Sequence, residues 1–306
     1  MPTARPREAI RALSSPAYTS TTRPLDALAA GIVVVLCLSW GFNQVATKLA
    51  IHDIPPLTQA AVRSTVAALL ISAWCRLRGI PLLKHDGTLW FGLLAGILFA
   101  AEFILIFQGL LYTTASRATL FIYLAPFFVV LGARILLPAD RFSIAQWLGL
   151  ALSFCGMVVA FGIPAPASDP RQLTGDIMMV GAALFWAATT LTIKASPLTR
   201  TSAEKVMLYQ LVVSAPVMVS AAILVGERVT HMPSGLALGA LAYQTVWVVS
   251  VTFVIWFALI ARYSASRLSP LFGVAAGHLV LGDPLTPAFA AAVALVAVGL
   301  LLVNRS

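Results

Sequence analysis

The stretch SWGFNQVATK at residues 39–48 recurs in altered form as FWAATTLTIK at residues 185–194. In each copy seven residues separate a Trp from a Lys, namely Trp40 from Lys48 and Trp186 from Lys194. Apart from these two residues the copies are mostly apolar or small and uncharged. One match of this kind is weak evidence of an internal repeat. The evidence becomes stronger if other parts of the chain also repeat in the same order.

Two further matches keep that order. The tripeptide Ala-Ser-Arg occurs at residues 115–117 and again at residues 265–267. Asp140, before the fifth apolar segment, has a counterpart in Asp283 before the tenth. Three matches in the same order are unlikely by chance, and they predict a chain built from two similar halves.

The composition places both halves in a membrane. Hydrophobic residues make up 60% of the 306 residues and charged residues only 10%, whereas soluble domains are about 25% charged. A surface with so few charges could not be solvated by water, so a water-soluble protein is excluded. A spanning helix needs about 20 apolar residues, and ten such segments can be assigned: 26–50, 56–77, 87–110, 115–136, 142–161, 174–196, 203–226, 235–261, 266–281 and 285–303.

The distribution of basic residues predicts the orientation. With a cytoplasmic N-terminus, 15 of the 20 Lys and Arg residues fall on the inner side and 4 on the outer side, while Arg63 lies within a span. Such a bias follows the positive-inside rule, so both termini are predicted to be cytoplasmic. Because each half has an odd number of spans, the second half enters the membrane inverted, as in many secondary transporters with a substrate site between repeats.

The sequence thus predicts an all-α integral membrane protein with four regions. These are a disordered cytoplasmic tail, a first repeat of five helices, a periplasmic linker and a second repeat of five helices, at residues 1–25, 26–161, 162–173 and 174–306. The net charge of +9 does not indicate nucleic-acid binding, because the basic residues stand singly at the ends of apolar segments. No P-loop or His-Glu-x-x-His motif is present, so neither ATP nor a metal cofactor is expected.

Polar residues on the faces of the predicted spans are the candidates for a substrate site. The first span carries Trp40, Asn43 and Gln44 at helical spacing, and the sixth carries Trp186 with two Thr residues. Neutral amides at this depth must face protein or water. Helix–helix hydrogen bonding is the alternative role for all of them. The eighth span adds Tyr243, Gln244 and Trp247, and the fourth adds Tyr123, with Pro126 marking a kink.

Two charges lie deep within spans. Glu102 is the only acidic residue in the middle of a predicted span, and Arg63 the only basic one. Their depths below the outer edge, about 13 Å and 9 Å at 1.5 Å per residue, allow a salt bridge. One interpretation is mutual neutralisation. The other is that Glu102 faces the cavity and binds a substrate ammonium or a proton.

The two five-helix halves, the Trp-rich first helix of each and the Gly-Asp-x-Leu-Thr element at residues 282–286 resemble the EamA-type branch of the drug/metabolite transporter superfamily. The similarity covers about residues 26–303, although that family usually has Glu where this chain has Asp140 and Asp283. It implies alternating access across the bacterial inner membrane. The aromatic content is similar to that of exporters of aromatic amino acids and related metabolites.

These observations predict a substrate and its partners. Rings and a few neutral hydrogen-bonding groups suit a small zwitterion with a large apolar side chain, so we expect export of aromatic and bulky neutral amino acids. A broad drug or metabolite exporter is the alternative, and a channel or membrane enzyme is disfavoured. The expected partners are the small-molecule substrate and membrane lipid, with the chain acting as a monomer. The predicted ninth span is seven residues shorter than its counterpart in the first half.

Overall fold

The computed structural model describes residues 27–82, 86–136, 143–161 and 169–263, together with Leu295 and Val298. Over this part of the chain the secondary structure is helical, with no β-sheet. Seven of the helical segments are long and apolar enough to cross a membrane. The predicted spans 266–281 and 285–303 lie outside the described residues apart from Leu295 and Val298, as do Asp140, Asp283 and residues 1–26.

The helices follow the predicted segments closely. In chain order they are α1 (Ala27–Ala50), α2 (Pro56–Leu77), α3 (Leu89–Gly109), α4 (Ala115–Ile122), α5 (Ala125–Leu136), α6 (Ile144–Phe161), α7 (Pro170–Lys194), α8 (Ala203–Val225) and α9 (Gly235–Arg262). A single 3₁₀ turn at Pro197–Arg200 leads from α7 to α8.

One helix starts earlier than the sequence predicts. The linker was expected to run to residue 173, but α7 begins at Pro170. The Asp169 carboxylate accepts a hydrogen bond of 2.9 Å from the backbone N–H of Arg171, and Pro170 occupies the first helical position, where its missing N–H is not needed. A cap followed by Pro therefore sets the start of the helix, even though the residues that follow are polar.

Two segments depart from regular α-helix. The predicted span 115–136 is divided into α4 and α5 at Tyr123 and Leu124, which confirms the kink expected from Pro126, a residue that has no backbone N–H to donate. Within α9, residues Tyr243–Thr252 form a π-helix between two α-helical parts. Such segments turn by less per residue than an α-helix, so they change which side chains share a face.

The predicted halves are interleaved rather than separate. Helix α3 packs against α7 and α8, and α2 packs against α8. A Cβ added at Gly96 would lie 2.5 Å from the Cβ of Val213, and one at Gly92 would overlap the ring of Tyr209. The Gly92–Gly96 spacing therefore serves close helix packing.

Large apolar side chains cover the outside of the helices. Leu69, Ile177 and Leu224 are 66%, 62% and 85% exposed. Contiguous apolar surface of this kind is unfavourable in water and favourable in the hydrocarbon of a bilayer. The helices therefore present an apolar exterior and place their polar residues inside.

Candidate functional site

A cavity lies inside the bundle, between α1, α3, α4, α7 and α9. Six of the nine predicted site residues line it, namely Trp40, Asn43, Gln44, Glu102, Tyr123 and Trp186. The space between the lining atoms, with its open mouth included, is about 460 Å³. The remaining lining residues were not predicted: Phe103, Ile106, Thr119, Ile122, Val248 and Phe253.

Aromatic rings form one wall of the cavity around Trp40. Its ring centroid lies 5.5 Å from that of Trp186 in an edge-to-face arrangement, 5.2 Å from Phe253 and 5.6 Å from Trp256. The Trp40 Nε1–H donates a hydrogen bond of 2.8 Å to the Thr252 hydroxyl. Packing and this hydrogen bond fix the orientation of the Trp40 ring, so the wall has a defined shape before any substrate enters.

One turn after Trp40 on α1, the side-chain amides of Asn43 and Gln44 contribute polar atoms to the cavity wall. The side-chain oxygens of Asn43 and Gln44 are buried and have no hydrogen-bond partner among the described residues. A buried polar atom without a partner is costly. Both side chains line the cavity, where a ligand could supply the missing hydrogen bonds.

Glu102 and Arg63 do not form the salt bridge that their depths allowed. No nitrogen of Arg63 lies within 4.0 Å of the Glu102 carboxylate. Glu102 lines the cavity, whereas Arg63 is fully buried beside it. The Arg63 guanidinium lies over the ring of Phe103, with Cζ 4.0 Å from the ring centroid, and 4.9 Å from that of Phe107.

The three predicted residues of α9 lie outside the cavity lining. The Tyr243 hydroxyl donates to the backbone oxygen of Ser39 at 2.9 Å, and the Trp247 Nε1–H donates to the Ser39 hydroxyl at 2.9 Å. Gln244 donates to the Gln59 side-chain oxygen at 3.1 Å. These contacts fasten α9 to α1 and α2. The common face expected of a regular helix is lost in the π-helical segment, and Val248 and Phe253 reach the cavity instead.

One end of the bundle is held by a polar cluster that we call the Asp176 cluster, formed by Lys48, Thr113, Arg117 and Asp176. Arg117 forms a salt bridge with Asp176, and the Thr113 hydroxyl donates to the same carboxylate at 2.6 Å. Lys48 donates to the backbone oxygens of Leu110 and Thr113 at 2.7 and 2.5 Å. The cluster joins α7 to the loop that follows α3. The sequence patterns did not predict this cluster, although a lone Asp near the end of an apolar helix indicates a nearby basic partner.

The repeated Lys residues have the same kind of partner. Lys48 donates to backbone oxygens just after α3, and Lys194 donates to the backbone oxygen of Tyr263, just after α9, at 2.6 Å. Carbonyls at a helix end lack intrahelical partners and favour a cation. The Trp–Lys spacing found in the sequence therefore corresponds to a ring in the cavity wall and a cation at a helix end in both copies.

Apolar helices around an internal cavity with a few buried polar groups are the architecture of a membrane transport protein. The EamA-like transporter family matches residues 27–162 and again residues 173–305. The chain belongs to this family, as its sequence resemblance implied.

Individual relatives agree with that assignment. A probable amino-acid metabolite efflux pump of Salmonella typhimurium is 27% identical over 297 residues, covering 90% of this chain and 93% of that protein. One of the same name from Escherichia coli is 27% identical over 85% of this chain and 88% of that protein. An uncharacterized transporter of Bacillus subtilis is 22% identical, covering 83% of this chain and 89% of that protein.

The fold has also been seen in a crystal structure. That protein is 21% identical in sequence and superposes with a TM-score of 0.73 over 90% of this chain and 94% of its own. At this level of identity the similarity shows the fold alone.

Proposed function

We propose that this transporter exports aromatic and other bulky neutral amino acids, and related small metabolites, across the bacterial inner membrane by alternating access. The observation that carries the proposal is the composition of the cavity wall. The rings of Trp40, Trp186 and Phe253 offer apolar area and a face for an ammonium group. Glu102, Asn43 and Gln44 add one carboxyl group and two amides. A zwitterion with a large side chain matches this combination.

The direction of transport is supported by the relatives, two of which are named probable amino-acid metabolite efflux pumps. The rings and the single carboxyl group also argue against a sugar phosphate, which would require a cluster of basic groups. Among the described residues that line the cavity there is no Lys or Arg.

The proposed topology has ten spans in two inverted repeats of five, residues 26–161 and 174–306, with both termini in the cytoplasm. Two separate matches to one family and the parallel roles of Lys48 and Lys194 support a repeat. The bias of basic residues supports the orientation. In this orientation the Asp176 cluster faces the periplasm. We further propose that Tyr243, Gln244 and Trp247 act with the cavity residues when α9 moves, since they lie on the next turns of the same element.

Substrate counterflow tests the proposal. Purified protein in proteoliposomes loaded with unlabelled phenylalanine should accumulate labelled phenylalanine, with saturation at rising concentration. Trp186→Ala should abolish this exchange, because it removes a ring from the cavity wall. Trp90→Ala is the matched control, since Trp90 is 76% exposed on the outside of α3, and it should exchange at the wild-type rate. Equal exchange by both variants would contradict the assignment of the cavity.

A broad metabolite exporter is the second candidate. It is favoured by the apolar side chains of Ile106, Ile122 and Val248, which line much of the cavity without fixing an orientation for a ligand. Counterflow of apolar cations or sugars in the absence of amino acid exchange would establish it. Flux that does not saturate would instead indicate a channel.

A further inference from the structure

Arg63 is a full positive charge buried inside the bundle without a compensating partner. Its exposed fraction is 0%, and none of its three guanidinium nitrogens has a hydrogen-bond partner among the described residues. A buried charge is normally paired and hydrogen-bonded because its desolvation is expensive. The faces of Phe103 and Phe107 offer cation–π contact, which satisfies no N–H donor.

Glu102 is the acidic residue that lies near Arg63. Glu102 precedes Phe103 on α3, and its carboxylate reaches the cavity, with more than 4.0 Å between it and every Arg63 nitrogen. Glu102 likewise has no ion pair among the described residues. Arg63 and Glu102 thus lie at similar depth without direct contact. A ligand that carries both a carboxylate and an ammonium group could bind between them.

A second set of buried polar atoms lies on the same side of α2. Gln59 is one turn from Arg63 on the same helix and receives the hydrogen bond from Gln244. The Gln244 side-chain oxygen has no partner among the described residues. One turn from Arg63 along α2 there is therefore an incompletely hydrogen-bonded polar pair, Gln59 and Gln244, while the guanidinium itself lies against the rings of Phe103 and Phe107.

From these contacts we infer that Arg63 is a carboxylate subsite of the cavity, which binds the α-carboxylate of the substrate while Glu102 binds its α-ammonium. The inference rests on the proposed function and deepens it. An α-amino acid carries both charges on one carbon, so it fits between a cation and an anion that do not touch. Arg63 supplies paired N–H donors that match a carboxylate geometrically, and the apolar side chain of the substrate then lies against Trp40 and Trp186.

The ring of Phe103 controls access to this subsite. It lines the cavity and lies against the guanidinium at the same time. Its other neighbours are also rings, with the Phe99 centroid at 4.5 Å and the Phe253 centroid at 6.0 Å. Rotation of the Phe103 side chain away from Arg63 opens the guanidinium to a carboxylate, and in its present position the ring shields the charge.

The experiment compares three ligands that differ only at the carboxyl group: phenylalanine, phenylalaninamide and phenethylamine. Binding to the full-length protein in detergent is measured by calorimetry. The amide keeps hydrogen-bonding capacity for Asn43 and Gln44 but has no negative charge. The wild type should bind phenylalanine about tenfold or more tightly than either other ligand, because a charge-assisted hydrogen bond is lost.

Arg63→Gln should reduce phenylalanine affinity to that of phenylalaninamide and leave the affinity for phenethylamine unchanged. Retained binding of the amine reports that the variant is folded. Ser64→Ala is the matched control, because Ser64 is the neighbouring buried residue and contacts Met218, and it should keep the wild-type preference. If Arg63→Gln does not fold, Arg63→Lys decides instead, since it keeps the positive charge but not the paired N–H donors, and it should reduce the preference for the carboxylate.

Three results would overturn the inference: equal wild-type affinity for phenylalanine and phenylalaninamide, an undiminished preference in Arg63→Gln, or an undiminished preference in Arg63→Lys. The first outcome removes the Arg63 assignment but leaves the proposed function intact, because an amino acid still binds. Failure of the proposed function has a different signature, in which none of the three ligands binds and no amino acid is exchanged in proteoliposomes.

Discussion

The hydrogen bond between Trp40 and Thr252 is the residue-scale contact that shapes the cavity wall. Trp40 contacts three other rings, so its orientation affects the whole aromatic surface. Its indole N–H donates to the hydroxyl of Thr252, which in turn donates to the backbone oxygen of Val248 at 2.5 Å. Thr252 is fully buried. The hydroxyl therefore couples the ring to the backbone of the π-helical segment.

Thr252→Val should lower the free energy of unfolding by about 1–3 kcal/mol, since it removes the hydroxyl that accepts from the buried indole N–H at nearly constant side-chain volume. Thermal unfolding in detergent, followed by Trp fluorescence, measures the change. Thr65→Val is the control: Thr65 is exposed on α2 and its hydroxyl only donates to Ala61 within its own helix at 2.8 Å. A change below about 0.5 kcal/mol is expected there. Equal melting of the two variants would contradict the role given to Thr252.

The candidate site was predictable from the sequence where the helix is regular. Trp40, Asn43 and Gln44 lie on an uninterrupted helix, so their spacing placed them on the cavity face. Residues Tyr243–Thr252 form a π-helix. The α-helical period used for the prediction does not apply there, so the residues predicted on that segment are not the ones that line the cavity. Phe253 was missed because a Phe in an apolar segment looks like any lipid-facing residue.

At the scale of elements, α3 and α8 are joined by a polar contact near their first turns. Lys205 donates to the Asp86 carboxylate at 2.8 Å, and the Thr88 hydroxyl contacts the same carboxylate at 2.5 Å. Thr88 also lies 3.0 Å from the Tyr209 hydroxyl. The hydrogen bonds from Lys205 and Thr88 hold the pKa of the Asp86 carboxyl well below its usual value. This contact reinforces the close packing at Gly92 and Gly96.

The contact should contribute a stability that depends on pH. A carboxyl whose pKa is lower in the folded state stabilises fully above its unfolded pKa of about 4 and loses that contribution as the pH falls towards the folded pKa. The difference in melting temperature between wild type and Asp86→Asn should therefore be positive at pH 7 and shrink below about pH 4. Thermal unfolding over a pH series measures it.

Lys205→Met serves as the partner control for this series. It removes the same contact, so the double variant should be no less stable than the more destabilised single variant. A difference between wild type and Asp86→Asn that stays constant down to pH 3 would show that the charge of Asp86 is unimportant.

The element boundaries were largely readable from the sequence, because an apolar run ends where a membrane ends. The start of α7 was misplaced because Asp169 and Pro170 act through backbone geometry rather than hydropathy. The break between α4 and α5 followed from Pro126. What no pattern revealed is that helices of one half pack mainly on helices of the other, since this depends on complementary side-chain shape.

At the scale of the whole molecule, the charged contacts define two ends of the bundle. Asp176 and Arg171 lie near the start of α7, while Arg200 follows its last residue. A helix of 25 residues separates these ends by about the thickness of a bilayer. The proposed orientation therefore places Arg171 and Arg200 on opposite sides of the membrane.

Single cysteines at these positions should report that orientation. After replacement of Cys37, Cys75 and Cys155 by Ala, a Cys at position 171 should react with an impermeant thiol reagent added to intact cells with a permeable outer membrane. A Cys at position 200 should react only after the inner membrane is opened. Arg171 and Arg200 are both exposed, so a lack of reaction would not reflect burial. The reverse pattern of labelling would overturn the orientation.

The buried guanidinium of Arg63 also has a consequence for biogenesis. During synthesis α2 reaches the translocon before α3, and an Arg in mid-helix opposes insertion by about 2.5–3.5 kcal/mol. Of the seven long apolar helices described, α2 has the lowest mean hydropathy and α3 the highest. The two rings that cover Arg63 belong to α3. We therefore expect α2 and α3 to enter the lipid together as a hairpin, with the more apolar α3 favouring insertion of the charged α2.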